Sequence, residues 1–228
     1  MDVIYQDRRI FVCLKPAGVL STDEPGGMPE RIRAYLGDVT ACVRTVHRLD
    51  AAVAGVMVFA RSRAAASILS QQVREHTFRK EYLAVVHGSL PQSDTLEDLL
   101  LRDKAARKTC VVFAPGKDVQ PARLSYIRLD EKTVPEVSES PLSFLKIRLE
   151  TGRTHQIRAQ FSSRGRPLFG DRKYGELSDP DEVPIALWSY RLSFCHPETG
   201  ERMTFTHLPP DECPWDLFSA PLPLLQTE

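Results

Sequence analysis

Hydrophobic and polar residues alternate with a period of two over much of this chain, the pattern of strands with one buried face. Ile4, then Ile10, Val12 and Leu14, predict a pair of short strands around a polar turn at residues 6–9. Lys15-Pro16-Ala17-Gly18 ends the second strand, because Pro16 removes a ladder donor and Gly18 permits a turn. The apolar run 53–60 predicts a third strand, and 78–88 a fourth with Tyr82, Ala84 and Val86 on one side. Three more are expected at 109–114, 123–129 and 142–149, and a hairpin from 185–195 and 203–207. Residues 94–108 are polar and give no clear element, and 130–140 read as an acidic loop around Pro135.

Helical spacing is confined to three places. Residues 29–36 predict a short helix closed by Gly37. Ser62 predicts the cap of a helix from 63 to about 76, with Ile68, Leu69, Val73 and His76 on its apolar face. Thr154 predicts the cap of a third, where Ile157 and Phe161 lie one turn apart and Gly165 ends the run. Strands without regular strand–helix alternation argue for an α+β fold, a mainly antiparallel mixed sheet with a few flanking helices. With no repeat and no low-complexity linker, the expectation is a single domain over residues 1–228. Its tail from residue 209 is rich in proline, with Trp215 and Phe218 docked on the body.

Composition adds bounds. Hydrophobic residues at 42% and charged residues at 26% are ordinary for a soluble globular protein. The start has no basic segment followed by a long apolar one, and the longest apolar run, 51–60, falls far short of the roughly 20 residues that span a bilayer. A cytoplasmic protein with no membrane partner is expected. Cys13, Cys42, Cys110, Cys195 and Cys213 are scattered, and the six histidines form no ligand pattern, so no metal is predicted.

The formal net charge of zero hides a division along the chain. Residues 40–80 carry seven Lys or Arg against Asp50 and Glu75, and 144–175 carry eight against Glu150 and Asp171. Residues 176–216 reverse the balance, with nine acids against Arg191 and Arg202. The division predicts a basic working face suited to a polyanion.

Chemistry gathers in three segments: Val46-His47-Arg48-Leu49-Asp50; then Lys80-Glu81-Tyr82-Leu83; then Gly152-Arg153-Thr154-His155-Gln156-Ile157-Arg158. A carboxylate beside an apolar strand is costly unless cations or donors hold it ionised, so Asp50 needs partners. In this order the segments resemble the motifs of the RluA family of pseudouridine synthases. Lys15-Pro16-Ala17-Gly18, Gly170-Asp171 and Lys173-Tyr174-Gly175 are also family-like. The resemblance runs from about residue 4 to 210. It implies the pseudouridine synthase fold and a cofactor-free isomerase that converts uridine in RNA to pseudouridine.

The resemblance also implies roles. Asp50 becomes the catalytic carboxylate that stabilises or traps the sugar C1′ when the bond to the base breaks. Arg158 is its expected counter-ion with Arg153 second, although Arg153 reads equally well as a capping or phosphate-binding residue. Tyr82 lies against the base with its phenol able to relay a proton, Ile157 forms an apolar floor, and Lys80 joins the substrate-binding set. Arg48 takes the gap left by the flipped nucleotide, and His47 shapes the loop. Two departures from the family pattern stand out: Ala51-Ala52-Val53-Ala54 where hydroxyl residues are usual, and Leu20-Ser21-Thr22-Asp23 where His-Pro is common.

With the pattern starting so early, no S4-type RNA-binding domain is expected ahead of it. Grip on structured rRNA or tRNA then falls to Arg44, Arg61, Arg63, Arg79, Lys80, Arg164, Arg166, Arg172 and Lys173. No DNA and no obligate protein partner is expected. The alternatives are a non-catalytic RNA-binding protein or chaperone that kept the fold, and a carboxylate-based hydrolase, which would want a second acid near Asp50.

Overall fold

The computed structural model describes residues 1–175, 179–218 and Leu225; Glu176 of the acidic stretch and most of the tail beyond Phe218 lie outside the described residues. The elements run β1 (Val3–Gln6), β2 (Ile10–Lys15), α1 (Met28–Leu36), β3 (Arg44–Thr45), β4 (Ala54–Ala60), α2 (Arg63–Arg74) and β5 (Arg79–His87). They continue as β6 (Ser93–Asp103), β7 (Lys108–Val112), β8 (Val119–Lys132), β9 (Leu142–Leu149), α3 (Gln156–Ser162), β10 (Leu187–Cys195) and β11 (Arg202–Thr206). The chain divides into two compact units, Met1–Lys80 with Ser189–Leu208, and Glu81–Trp188 with Pro209–Glu228. No helix among the described residues is long and apolar enough to cross a membrane.

In the first unit the strands follow the path β1-β2-β4-β10, with β3 also on β4 and β11 on β10. Strands β2 and β4 pair antiparallel from Ile10↔Ala60 to Lys15↔Gly55, so the end of β2 lies opposite the start of β4. Only glycine suits that start. Gly55 has φ of 123°, and a Cβ there would fall 2.3 Å from the Ser189 carbonyl oxygen. Ile10, Val12, Val56, Val58, Leu69, Phe78, Leu192 and Phe194 build the core beneath.

Helix α2 corrects one expectation. Its cap is as read, with the Ser62 side chain accepting from the Ala65 N–H at 3.1 Å. Its buried face, however, is Ala65, Leu69 and Gln72; Ile68 is 40% exposed and His76 lies beyond the helix in the left-handed region at φ 57°. Gln72 faces inward because its amide acts like one more residue of the sheet: Nε2 donates to the Cys195 carbonyl and Oε1 accepts from the Cys195 N–H, both at 2.8 Å.

The second unit follows the path β5-β9-β8-β6-β7. Residues 94–108, unreadable from pattern, supply β6 and the start of β7. Strand β6 pairs antiparallel with β8 from Ser93↔Ile127 to Leu101↔Val119. Strand β8 runs into the expected acidic loop as far as Lys132, with an irregularity between Arg128 and Asp130. The tail docks as expected on this unit: Trp215 and Phe218 are buried, with ring centroids 6.3 and 5.2 Å from that of Phe144.

Helix α3 starts without the Thr154 cap. His155 precedes it in the left-handed region at φ 53° and gives no side-chain cap bond, while the Thr154 carbonyl accepts from the Thr109 hydroxyl at 2.9 Å. Gln156 organises the turn instead. Its Oε1 accepts from the Arg153 N–H at 3.0 Å and the Thr151 hydroxyl at 2.8 Å, and its Nε2 donates to the Arg123 carbonyl at 3.1 Å.

Candidate active site

Of the residues singled out from sequence, Arg48, Asp50 and Lys80 belong to the first unit, and Tyr82, Arg153, Ile157 and Arg158 to the second. Asp50 sits half-buried on the turn between β3 and β4, closed by the Val53 N–H donating to the Asp50 carbonyl at 3.0 Å. Leu49 and Val53 on either side are buried and anchor the turn in the core. Arg48 is exposed and forms no ion pair among the described residues. Its guanidinium is not spent on Asp50.

The turn is tied to the chain that follows β2. The Ser21 hydroxyl donates to the Leu49 carbonyl at 2.8 Å and accepts from the Leu49 N–H at 3.1 Å. The Lys15 ammonium is wholly buried and donates to the carbonyls of Pro16, Val19 and Ala51 at 2.8, 2.7 and 2.9 Å. The Gly18 N–H adds a bond of 2.8 Å to the Ala51 carbonyl. Burial pushes the Lys15 ammonium down to about 8, and the negative charge of Asp50 works against that shift. Neither Lys15 nor Ser21 was assigned a role from sequence. The family-like Lys-Pro-Ala-Gly run was a signal for Lys15, whereas nothing in the sequence marked Ser21.

His47 is expected to be a satisfied structural residue, but only one of its nitrogens has a hydrogen-bond partner. Nε2 accepts from the Val58 N–H at 3.2 Å, and the ring packs on Phe78 at 5.3 Å between centroids. Its Nδ1 is buried with no hydrogen bond. Burial, then the charge of Lys80, pushes the imidazole down to about 3, so it is neutral at physiological pH. Lys80 is itself half-buried, and burial holds it below the ordinary lysine range.

In the second unit Tyr82 is buried on β5, and Ile157 is buried on α3. Arg158, next along the helix, donates from Nε to Asp171 Oδ2 at 2.8 Å and from Nη2 to Asp171 Oδ1 at 2.7 Å. Asp171 is 1% exposed and Arg158 7%. Asp171 Oδ1 also accepts from the N–H groups of Lys173 and Tyr174 at 2.9 and 3.1 Å, so the carboxylate orients the guanidinium and closes its own turn. The face of Arg158 lies 5.0 Å over the Tyr174 ring. The Tyr174 hydroxyl accepts from the Thr109 N–H at 2.6 Å and lies 2.8 Å from His155 Nδ1. Arg153 is turned to the β8 side, its Nε donating to the Pro121 carbonyl at 3.0 Å. Asp171 and Tyr174 were visible in the sequence only as family-like residues without a task.

The expected basic face is partly committed elsewhere. Arg61 donates to the Asp7 carbonyl, Arg164 grips Asp98 at 2.9 and 3.1 Å, and Arg172 donates to the carbonyls of Asp179 and Pro180. Arg44, Arg63, Arg79 and Arg166 are exposed.

The sequence pattern of the family described as RNA pseudouridylate synthase matches residues 9–163, a stretch that holds Asp50, Tyr82 and Arg158. The chain is 36% identical to the dual-specificity RNA pseudouridine synthase RluA of Yersinia pestis, across 90% of this chain and 97% of that protein. It is 34% identical to the ribosomal large subunit pseudouridine synthase D of Neisseria meningitidis serogroup A, across 93% of this chain but only 59% of that protein. The chain thus spans about three-fifths of the length of that relative. Its fold resembles human RNA pseudouridylate synthase domain containing 1, with a TM-score of 0.78 over 92% of this chain and 84% of that one at 24% identity. With motifs in family order, an α+β fold shared with solved members and a family match over more than half its length, the chain belongs to the RluA family of RNA pseudouridylate synthases.

Proposed function

We propose that this protein is a pseudouridine synthase acting on a uridine in structured rRNA or tRNA in the cytoplasm, its two units serving one catalytic domain. The observation that carries the reading is Asp50: a half-buried carboxylate on a backbone-locked turn, inside the stretch that matches the family. The relatives named above act on ribosomal RNA or have dual RNA specificity by name, which supports the substrate class.

The chemistry follows from what the reaction requires. The bond from ribose C1′ to base N1 breaks, and positive charge develops on the sugar. The Asp50 carboxylate stabilises that charge or bonds to C1′. The base turns, C5 bonds to C1′, C5 gives up its proton and N1 ends protonated. Atoms balance without oxidant or reductant, so the isomerisation needs no redox cofactor. Tyr82, with an apolar ring and a polar tip, faces the base and relays the C5 proton. Arg158, held by Asp171, has the counter-ion role that the family resemblance implies. Ile157 is the floor under the base, while Lys80 and Arg153 contact the substrate. Exposed Arg48 fills the stack when the nucleotide is extruded.

The test is RNA from cells lacking the protein, incubated with wild type or Asp50→Asn and mapped for pseudouridine at nucleotide resolution. Wild type restores a site and Asp50→Asn does not, although it binds the RNA with similar affinity. A site restored equally by both would leave a binding protein or chaperone as the better reading.

A further inference from the structure

Where β5 ends in the second unit, His87 stands between a buried acid and a turn that carries two serines. His87 is 5% exposed and Asp179 4%. The imidazole Nε2 lies 3.0 Å from Asp179 Oδ1 and 3.2 Å from Oδ2, and Oδ2 also accepts from the Gly170 N–H at 2.7 Å. On its other side the ring presents Nδ1 to Ser140 Oγ at 3.1 Å and to Ser138 Oγ at 3.3 Å. Backbone bonds fix both partners to one strand end. The His87 N–H donates to the Pro167 carbonyl at 2.9 Å, and the Gly88 N–H donates to the Pro141 carbonyl, next to Ser140, at 2.6 Å. The ring packs on Phe169 at 5.5 Å between centroids.

The order of protons follows from these partners. A carboxylate only accepts, so Nε2 carries the hydrogen and donates to Asp179, which leaves Nδ1 as an acceptor. The two serines then differ. The Ser138 hydroxyl donates to the Ser140 carbonyl at 2.9 Å and accepts from the Ser140 N–H at 3.3 Å, so its proton is committed to closing the turn. Ser140 Oγ has only Nδ1 and, at 3.4 Å, the Ser138 hydroxyl within reach among the described residues, so its proton goes to Nδ1. His87 and Asp179 are closed off, whereas Ser140 is half-buried and can be reached.

We propose that Ser140, His87 and Asp179 form a second reactive centre, in which Ser140 is a nucleophile toward small uncharged carboxylic esters. Nucleophile, base and orienting acid are recognised by their roles and distances, and here the imidazole is simply turned end for end. Ser140 Oγ bonds to the acyl carbon while its proton passes to Nδ1. The ester C–O bond breaks, and the leaving alcohol takes the proton from Nδ1. Water then adds to the acyl carbon with Nδ1 as base, the carboxylic acid departs and Oγ regains its proton. Two features favour this over plain packing. Ser138 already closes the turn, so the Ser140 hydroxyl holds nothing in place except the imidazole. A buried carboxylate is costly, and this one fixes the single tautomer that lets Nδ1 take a proton. The half-buried setting of Ser140 restricts access to small acyl groups, and exposed Glu139 beside it disfavours anionic ones. The centre is independent of the reading of Asp50.

The experiment uses the full chain and p-nitrophenyl acetate as the probe ester. Wild type, Ser140→Ala, Ser138→Ala and Asp179→Asn are compared for nitrophenol release with protein in excess, for the acetylated residue by peptide mapping, and for melting temperature. In wild type the acetyl group is expected on Ser140. Ser140→Ala should release nitrophenol at least about tenfold more slowly, whereas Ser138→Ala stays within about threefold of wild type. Asp179→Asn, which leaves the ring without its orienting acid, should slow acetylation by about a hundredfold or more. If Asp179→Asn does not fold, the two serine variants decide the matter. No acetyl group on Ser140 in wild type, including acetylation confined to lysines, would overturn the proposal. So would equal release by wild type and Ser140→Ala, or a folded Asp179→Asn acetylated on Ser140 at the wild-type rate.

Discussion

The turn that carries Asp50 and the helix that carries Arg158 are stabilised in opposite ways. The first is held by bonds to its backbone: Ser21 on Leu49, Lys15 and Gly18 on Ala51. The second is held by its own charge, since the Arg158 guanidinium is paired through two nitrogens with buried Asp171 and lies over Tyr174. Holding a group by its backbone leaves its functional atoms uncommitted by the brace. Holding it by its charge commits the side chain's own atoms to the fold. Disturbing the second arrangement should therefore cost stability and activity together, and disturbing the first mainly activity.

The sharpest test of that contrast is Asp171→Asn. It removes the charge of the buried carboxylate that grips the Arg158 guanidinium, and breaking a buried pair costs about 3–5 kcal/mol. The expected result is a large fall in the urea midpoint, with turnover lost alongside it. If Asp171→Asn were as stable as wild type, the ion pair would not be the brace it looks like.

A smaller effect is expected from His47 beside the Asp50 turn. Its folded-state value of about 3 lies below the ordinary 6.5, so the unfolded chain binds the proton first as pH falls. The stability it contributes is complete above about pH 6.5 and is lost progressively as pH drops toward 3, by about a few kcal/mol at most. His47→Gln, neutral and still able to accept from Val58, should flatten this part of the pH–stability profile measured by denaturant titration. An unaltered slope would show that other groups produce it.

The smallest effect is expected at the surface of the second unit. Arg123 pairs with Glu97 and with Glu150, but its side chain is 50% exposed. Arg123→Ala should cost no more than about 1 kcal/mol, and less at high salt. A cost comparable to Asp171→Asn would mean that exposed pairs matter here as much as buried ones.

These sites differ also in how far the sequence disclosed them. Asp50, Tyr82 and Arg158 stood out because chemistry-bearing residues recur in fixed local order, and local order is what a sequence displays. Most strands were readable for a related reason, since alternation is a property of neighbours. Strand β6 escaped because acids and leucines adjoin without clean alternation, and its identity comes from pairing with β8, whose partners lie 18 to 34 positions further along the chain. The buried face of α2 was misplaced because Gln72, polar by composition, becomes an interior residue once Cys195 offers both a carbonyl and an N–H.

By itself, then, the sequence determined the family, the α+β class and the order of nearly all elements, because each is written in spacing along the chain. Only the tertiary structure decided what holds the candidate site residues: Ser21 on Leu49, Lys15 on Ala51, Asp171 on Arg158. Each is a hydrogen bond or ion pair whose partner lies many positions away. Hydrogen bonds form only at about 3 Å, a separation that folding creates and that no count of residues contains.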